Sequence, residues 1–284
     1  ILQFAILEQL MQPNALRIGL IGKKLSHSAS PLIHHLFMQE SKQPGYYHLL
    51  EATNEIRANT LIKRIMEYEF SGLNITFPYK TSVIPILDSL NDDAHSVQAV
   101  NTIHMKNGKL LGCNTDISGF TSFMKNHDLH KYNKAMILGA GGASRAVCAS
   151  LIQLGIEIIV VSRNSKRINE FPEELRSQIS FTTPGNIDYK QDVEIYINAT
   201  PLGLEDNDPR EFVQIPSQVK VVIDLLYHRN DTIMVKEVKS SGIEAYDGKE
   251  MLFNQAADSY EIWTGSTLDL PSIFKQFIME FDSE

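Results

Sequence analysis

The chain has 284 residues, of which 43 % are hydrophobic and 21 % are charged, a composition typical of a globular protein with a buried core. Its 34 acidic residues exceed its 26 basic ones, for a formal net charge of −8, which argues against nucleic acid or an anionic membrane as the main partner. Neither cysteine, Cys113 or Cys148, belongs to a CxxC pair. This argues against a disulfide scaffold and a cysteine-based zinc site, and predicts a cytoplasmic location.

The first part of the chain alternates short apolar runs with amphipathic ones. Strands are predicted at residues 15–21, 46–50 and 73–77, and helices at 32–40 and 56–68. Pro31 suits a first helical turn, since the N–H that it lacks would have no partner there. By its position Ser30 is the better N-cap candidate, with Ser28 the other. This alternation predicts a mostly parallel sheet covered by helices.

A second alternating unit begins near Asp116. Its predicted strands are residues 135–138, 157–161, 193–198 and 219–224, with a helix at 145–154. Two helices, 251–263 and 272–281, complete the chain. Hinges are expected around residues 114–116 and 247–248.

A glycine-rich loop joins the first strand of the second unit to its helix, and it has the form Gly139-x-Gly141-x-x-Ser144. Gly139 would permit a tight turn, Gly141 would let the backbone approach a pyrophosphate, and Ser144 is small enough for close helix–sheet packing. The free N–H groups of the helix would then face the phosphates. Strand, loop and helix together predict a dinucleotide site.

The end of the following strand indicates which dinucleotide is bound. A site for NAD usually has Asp or Glu there, which binds the ribose hydroxyls. Here the strand is followed by Ser162, Arg163 and Asn164, with Lys166 and Arg167 in the next turn. Because these cations can pair with a 2′-phosphate, the predicted cofactor is NADP.

Six short motifs occur along the chain, and they read HSASP at residues 27–31, NITFPYK at 74–80, AVNT at 99–102, NTDISG at 114–119, GAGGAS at 139–144 and INAT at 197–200. In order and spacing they resemble the HSxSP, N-V/I-T-x-P-F/Y-K, AVNT, NTDxxG, GAGGAS and INAT motifs of the shikimate dehydrogenase family. The resemblance extends over about residues 19–263 and includes Tyr227 and Gln255.

The resemblance implies an α/β protein of two domains. A substrate-binding catalytic domain with a mostly parallel sheet would comprise residues 1–115 and 248–284, and an NADP-binding Rossmann domain residues 116–247. The implied reaction is the NADPH-dependent, reversible reduction of 3-dehydroshikimate to shikimate in chorismate and aromatic amino acid biosynthesis. Partners other than these small molecules are not expected, and the protein would be a monomer or a homodimer.

The resemblance also assigns site residues. Substrate binding falls to Ser28, Ser30, Thr76, Lys80, Asn101, Asp116, Tyr227 and Gln255, which are mostly hydroxyl, amide and charged groups suited to a polyhydroxylated ring carboxylate. The cofactor would be bound by Gly139, Ala140, Gly141, Gly142, Ala143, Ser144, Ser162, Arg163, Asn164, Arg167, Thr200, Leu225 and Gly248.

Lys80 and Asp116 are the expected catalytic pair. Lys80 would act as the acid/base group at the reacting carbonyl, and Asp116 would hold the ammonium in place and favour its charged form. Asn74 is a further candidate within its motif. The histidines lack partners at ligand spacing, so no metal is expected.

The chain departs from the family pattern in three places. Ser162 and Asn164 flank Arg163 where the family usually has Asn and Thr, no proline follows Tyr227, and Glu250 occupies a position that is usually small. Two alternatives stay open: a quinate or quinate/shikimate dehydrogenase that uses NAD(P), and a catalytically silent NADP-binding regulatory protein. Ser28, Ser30 and Arg163 favour the shikimate enzyme over the first, and the presence of Lys80 and Asp116 argues against the second.

Overall fold

The computed structural model describes residues 15–67, 70–203 and 207–283. These residues form two compact units. The first unit comprises the described residues up to His95, Ala99–Thr115 and the chain from Gln255 onward, and the second comprises Ser96–Gln98 and Asp116–Asn254. The change from the second unit to the first thus falls after Asn254, whereas the predicted domain begins at residue 248. The predicted domain bounds stay a prediction.

The first unit is built on a six-stranded mixed sheet. Its strands are β1 Leu16–Gly22, β2 Gly45–Glu51, β3 Gly72–Ile75, β4 Ser89–Leu90, β5 Thr102–Lys106 and β6 Lys109–Cys113, and its helices include α1 Ser30–Glu40, α2 Glu55–Glu67 and α3 Asp92–Val97. The strand order is β2-β1-β3-β5-β6-β4. All pairs are parallel except those that β5 makes with β3 and β6. The α/β class with a mostly parallel sheet is therefore confirmed.

The second unit contains a parallel sheet. Its strands are β7 Lys134–Leu138, β8 Glu157–Val161, β9 Ser180–Thr182, β10 Ile195–Asn198, β11 Val221–Asp224 and β12 Glu244–Tyr246, and its helices are α4 Asp116–Asn126, α5 Gly142–Gln153, α6 Glu173–Arg176 and α7 Ile233–Ser240. The strand order is β12-β11-β10-β7-β8-β9, which is the doubly wound order of a Rossmann fold. The order reverses between β7 and β10, and ligands of such sheets bind outside the carboxyl ends of the strands at that point.

Two helices end the described chain: α8 Lys249–Thr264 and α9 Leu270–Ser283. Among the described residues, no helix combines the length and the apolar character that crossing a bilayer requires. Apolar side chains fill the core of each unit, with Ile21, Ile62 and Leu73 in the first and Met136 and Val222 in the second.

A hairpin that the sequence analysis did not predict joins β5 to β6. Its turn residues, Asn107 and Gly108, have φ values of +54° and +72°, as a two-residue type I′ turn requires. The register pairs Thr102 with Cys113. The residues that precede β5 and follow β6 are therefore neighbours.

Several predicted bounds were wrong. Ser30 is the first residue of α1 and not its N-cap; Ala29 occupies the N-cap without a side-chain hydrogen bond. β3 ends at Ile75, before the cis Phe77–Pro78 bond, and not at residue 77. Helix α5 begins at Gly142, because the small residues of the glycine loop form its first turn. The strands predicted from residues 193 and 219 are shorter and begin at Ile195 and Val221. Tyr68, the end of the predicted helix 56–68, lies outside the described residues.

Candidate functional site

The predicted substrate residues of the first unit lie at one edge of its sheet. Ser28 and Ser30 follow β1, and Thr76 and Lys80 follow β3, which is parallel to β1. Because β5 is antiparallel to β3, the residue that precedes β5, Asn101, lies at this edge as well. Parallel strands end at the same edge, so the topology alone collects five residues that are far apart in sequence.

Backbone hydrogen bonds fix Lys80 and Asn101 beside each other. The N–H of Val100 donates to the carbonyl oxygen of Lys80 at 2.7 Å, and the N–H of Ile75 donates to that of Asn101 at 2.8 Å. The buried Tyr79 donates its hydroxyl to the carbonyl of Ala52 at 2.5 Å. The backbone that carries Lys80 is therefore held on both sides.

The β5–β6 hairpin brings Asn101 against the residues that precede Asp116. The N–H of Thr115 donates to Oδ1 of Asn101 at 2.8 Å, and Nδ2 of Asn101 donates to Oγ1 of Thr115 at 2.9 Å. Asn114 is held by a 2.9 Å bond from its Nδ2 to the carbonyl of Ala99. Asp116 follows as the first residue of α4, where its side chain is buried. The first two residues of the Asn-Thr-Asp motif, Asn114 and Thr115, thus have a structural role, because their hydrogen bonds hold this segment against the residues that precede β5.

Gln255 joins the same hydrogen-bonded network from α8. Nδ2 of Asn101 donates to Oε1 of Gln255 at 3.2 Å. One helical turn later, the fully buried Ser259 donates its hydroxyl to the carbonyl of Gln255 at 2.9 Å. Oγ of Ser259 accepts from Nδ2 of Asn74 at 3.0 Å and lies 2.7 Å from Oγ1 of Thr102. The network holds the amides of Asn101 and Gln255 in one orientation.

Sequence reasoning missed Ser259, Thr102 and Thr115 as members of this network. The available signal was spacing, since residues i and i+4 of a helix share a face and Ser259 stands in that relation to Gln255.

An aromatic cluster supports Asn74 from the other side. The hydroxyl of Tyr47 donates to Oδ1 of Asn74 at 2.8 Å. The ring of His34 stacks on Tyr47 with centroids 4.3 Å apart and an interplanar angle of 8°. Burial lowers the pKa of His34 to about 3, so this imidazole is neutral near pH 7 and acts as an aromatic packing group.

In the second unit the glycine loop lies where the strand order reverses. Gly139 follows β7 with a φ of +113°, and a Cβ atom there would lie 2.8 Å from the carbonyl oxygen of Ala199, after β10. The N–H of Gly139 donates to Val161 at 2.9 Å, and its carbonyl accepts from the hydroxyl of Ser144 at 2.8 Å. Only glycine fits this backbone between β8 and β10.

The space above the loop is open. A Cβ atom at Gly141 would meet no atom of the described residues within 4 Å, and Gly141 is the N-cap of α5. Gly142, Ala143 and Ser144 form the first turn of that helix, whose N–H groups have no partner within the helix. An open cradle before a helix N-terminus fits a pyrophosphate.

Next to this loop, Asn198 orders the segment that follows β10. Its Oδ1 accepts from the N–H and the hydroxyl of Thr200 at 3.1 and 2.7 Å, and its Nδ2 donates to Oδ1 of Asp224 at 2.9 Å. Burial raises the pKa of Asp224 to about 6. Asn198 of the INAT motif, which is itself buried, thus holds Thr200 beside Gly139 through side-chain hydrogen bonds.

The two arginines beyond β8 differ in their surroundings. The guanidinium of Arg163 lies over the ring of Phe212, 5.0 Å from its centroid. Nη1 of Arg167 donates to Oε2 of Glu170 at 3.3 Å. On either side of Arg163, the side chain of Ser162 accepts a hydrogen bond from the N–H of Asn164, and the side chain of Asn164 accepts one from the N–H of Lys166. Both cations therefore lie near the strand end, and within the described ranges a carboxylate pairs with Arg167 but not with Arg163.

The segment at Gly248 is closely packed against the end of β11. A Cβ atom at Gly248 would lie 2.2 Å from the carbonyl oxygen of Leu225, and its N–H donates to Leu226 at 2.9 Å. Tyr227 follows, half-buried. Glu250, the departure from the family pattern, is bound to the end of α4 by Nε2 of His127 at 2.6 Å and by Nδ2 of Asn126 at 2.9 Å.

Within the described ranges, no group of three or more His, Cys, Asp and Glu side chains could hold a metal ion. Residues 20–103 match the family model described as the shikimate dehydrogenase substrate binding domain. A shikimate dehydrogenase (NADP(+)) of Clostridium beijerinckii is 39 % identical over 258 residues, which cover 88 % of this chain and 93 % of the relative. This chain belongs to the shikimate dehydrogenase family. The family predicted from the motifs is thus confirmed.

Solved structures agree with this assignment. A shikimate 5-dehydrogenase of Thermus thermophilus, in complex with NADP(H) and shikimate, has a TM-score of 0.81 and 29 % identity over 94 % of this chain and 99 % of its own. A quinate dehydrogenase of Corynebacterium glutamicum in complex with NAD has a TM-score of 0.80 and 26 % identity over 93 % and 99 % of the two chains. The fold of the family therefore does not discriminate between the two substrates.

Proposed function

We propose that the chain catalyses the NADPH-dependent, reversible reduction of 3-dehydroshikimate to shikimate, a step of chorismate biosynthesis. The observation that carries the proposal is the bonded path Lys80–Val100–Asn101–Thr115, which leads directly to Asp116. It brings the motif residues with the required chemistry to one sheet edge of a family member.

The substrate residues are those that the motifs assign. They are Ser28, Ser30, Thr76, Lys80, Asn101, Asp116, Tyr227 and Gln255. The hydroxyl and amide groups among them can both donate to and accept from ring hydroxyls, while Lys80 supplies a cation. The fixed amide orientations of Asn101 and Gln255 support this assignment, because pre-oriented groups lose less freedom on binding.

Lys80 and Asp116 carry the chemistry. In the reductive direction, Nζ of Lys80 supplies a proton to the oxygen of the ring carbonyl as negative charge develops on it. The carboxylate of Asp116 holds the ammonium in position and favours its charged form. NADPH, when bound, supplies the hydride to the carbonyl carbon.

The cofactor residues lie around the glycine loop and the strand ends of the second unit. They are Gly139, Ala140, Gly141, Gly142, Ala143, Ser144, Ser162, Arg163, Asn164, Arg167, Thr200, Leu225 and Gly248. The open cradle at Gly141 supports pyrophosphate binding, and the cations beyond β8 support NADP over NAD. The relative in C. beijerinckii is named for NADP(+) as well.

Quinate dehydrogenation is the second candidate, because the quinate dehydrogenase structure is as similar in fold as the shikimate enzyme. Ser28, Ser30 and Arg163 favour shikimate and NADP. A silent regulatory role is disfavoured, because both members of the catalytic pair are present. The cytoplasmic location, the domain bounds and a monomeric or homodimeric state stay predictions.

An initial-rate assay tests the proposal with four substrate and cofactor pairs: shikimate or quinate, each with NADP or NAD. The fastest reaction is expected with shikimate and NADP. A faster reaction with quinate and NAD would support the second candidate, and the absence of any cofactor reduction would support the regulatory role.

A further inference from the structure

The stack of Arg163 on Phe212 links two loops on opposite sides of β7. Arg163 lies two positions beyond the end of β8, and Phe212 lies in the connection from β10 to β11. Since β8 and β10 flank β7 in the sheet, the stack spans the carboxyl edge from which the Gly139 loop emerges. A ligand in the cradle of this loop would have the stack as a neighbour.

The segment that carries Phe212 is anchored. Nε of Arg210 donates to Oδ2 of Asp208 at 2.9 Å, and Nη2 of Arg210 also bonds to Glu237 on α7. Hydrogen bonding to Arg210 lowers the pKa of Asp208, so the pair is charged at neutral pH. The ring of Phe212 therefore stands on a braced turn.

The other side of Phe212 is fixed by the core. Val213 is fully buried, and its carbonyl oxygen accepts a 3.1 Å hydrogen bond from the hydroxyl of Tyr196 on β10. The N–H of Phe212 donates to Pro209 at 3.1 Å. The side chain of Phe212 is 36 % exposed, although the backbone on both sides of it is held.

A stack and an ion pair use different parts of a guanidinium. Cζ of Arg163 lies over the ring of Phe212, 5.0 Å from its centroid. A guanidinium that packs on a ring by one face keeps its N–H donors available, because they lie in the guanidinium plane. The carboxylate of Glu170 instead takes an in-plane donor of Arg167, and it lies 3.5 Å from the side chain of Arg145 as well. Among the residues that the structure describes, no carboxylate pairs with Arg163, so its donors are not engaged in an ion pair there.

We propose that Phe212 is a specificity-determining positioning residue, whose ring holds Arg163 by one face so that its N–H edge binds the 2′-phosphate of NADP. The inference rests on the proposed use of NADP. It assigns a role to a residue outside the motifs, and it does not require the ring to touch the nucleotide.

Calorimetric titration with 2′,5′-ADP and 5′-AMP tests this, because the two ligands differ by the 2′-phosphate. Phe212→Ala should raise the Kd of 2′,5′-ADP about two- to fivefold, the equivalent of about 0.5–1 kcal/mol for an exposed cation–π contact. The Kd of 5′-AMP should not change. Phe212→Tyr keeps an aromatic ring and should retain the wild-type affinity. The matched control is Tyr189→Ala, at another exposed aromatic residue of the second unit, which should leave both Kd values unchanged.

The Arg163→Ala background makes the test specific. There, Phe212→Ala should have no further effect on 2′,5′-ADP, because its role acts through the arginine. Equal losses for both ligands would mean that the ring contacts the nucleotide itself, and unchanged or tighter 2′,5′-ADP binding would remove the positioning role. Each of these results overturns the proposal.

The wild-type protein separates this proposal from the proposed function. If it oxidises shikimate with NADP while Phe212→Ala keeps the wild-type Kd for 2′,5′-ADP, only the role of Phe212 fails. If the wild type binds both nucleotides equally, the assignment of NADP fails together with it.

Discussion

Paired substitutions at Gly139 and Gly141 would separate the structural requirement of the glycine loop from its requirement for cofactor binding. Gly139→Ala places a methyl group 2.8 Å from the carbonyl oxygen of Ala199 at a φ of +113°. A backbone conformation that side chains rarely adopt costs about 1–3 kcal/mol, and overpacking costs about 1–3 kcal/mol more. The protein without cofactor should therefore lose about 2–6 kcal/mol of stability, which corresponds to a fall in Tm of roughly 4–24 °C.

Gly141→Ala is the matched control. Its methyl group would meet no atom within 4 Å, so the Tm without cofactor should stay within about 2 °C, as for substitutions away from packed features. The same methyl group would occupy the cradle, and the Kd of NADPH, measured by its fluorescence, should rise at least about tenfold, the equivalent of 1.4 kcal/mol. An unchanged Tm for Gly139→Ala would refute the steric reasoning. Wild-type NADPH affinity in Gly141→Ala would refute the position of the pyrophosphate.

Two further predictions concern the first unit. Ser259→Ala should raise KM for shikimate severalfold, since it removes the hydroxyl that bonds Asn74 and the two threonines beside Asn101. The control is the Kd of NADPH, which should be unchanged, and a wild-type KM would show that Ser259 does not position the amides. His34→Phe should make the protein less sensitive to acid. Because the pKa of His34 is lowered by burial to about 3, its unfolded form binds more protons below pH 6.5, so its contribution to stability is complete above that pH and is lost as the pH falls towards 3. Urea unfolding at pH 7 and pH 5 should show the wild type losing about 2 kcal/mol more than the variant, and equal losses would exclude His34 as the cause.

The parts of the fold that follow from local pattern were predicted, and the parts that depend on register were not. Short continuous apolar runs predicted β1 and β8, and helical spacing of apolar residues predicted the helices. The β5–β6 hairpin was missed even though Asn107-Gly108 is a strong turn signal, because residues 103–113, between two motifs, were assigned to no strand. The prediction of Ser30 as N-cap was wrong because a proline suits any position of the first helical turn. Pro31 is the second residue of the helix, so the N-cap falls one residue earlier than predicted, at Ala29.

The motif residues of the site could be named from sequence, but not the residues that hold them. Ser259 lies outside the motifs, and Thr102 ends the AVNT motif without a chemical signature of its own. The register of β5 against β3 and β6 brings Thr102 to Asn74 and Thr115, and Ser259 reaches the same two residues from α8. Phe212 lies outside every motif. Its relation to Arg163 depends on the order of β8, β7 and β10, a property of the whole sheet.

The most direct test of the proposed function is the turnover of shikimate with NADP by Lys80→Ala. The expected result is a fall in kcat of roughly 10²–10⁴, the range for a positioned acid/base group. The Kd of NADPH should stay near the wild-type value, because Lys80 belongs to the first unit and the glycine loop to the second. Near-normal turnover in this variant would contradict the proposed chemistry.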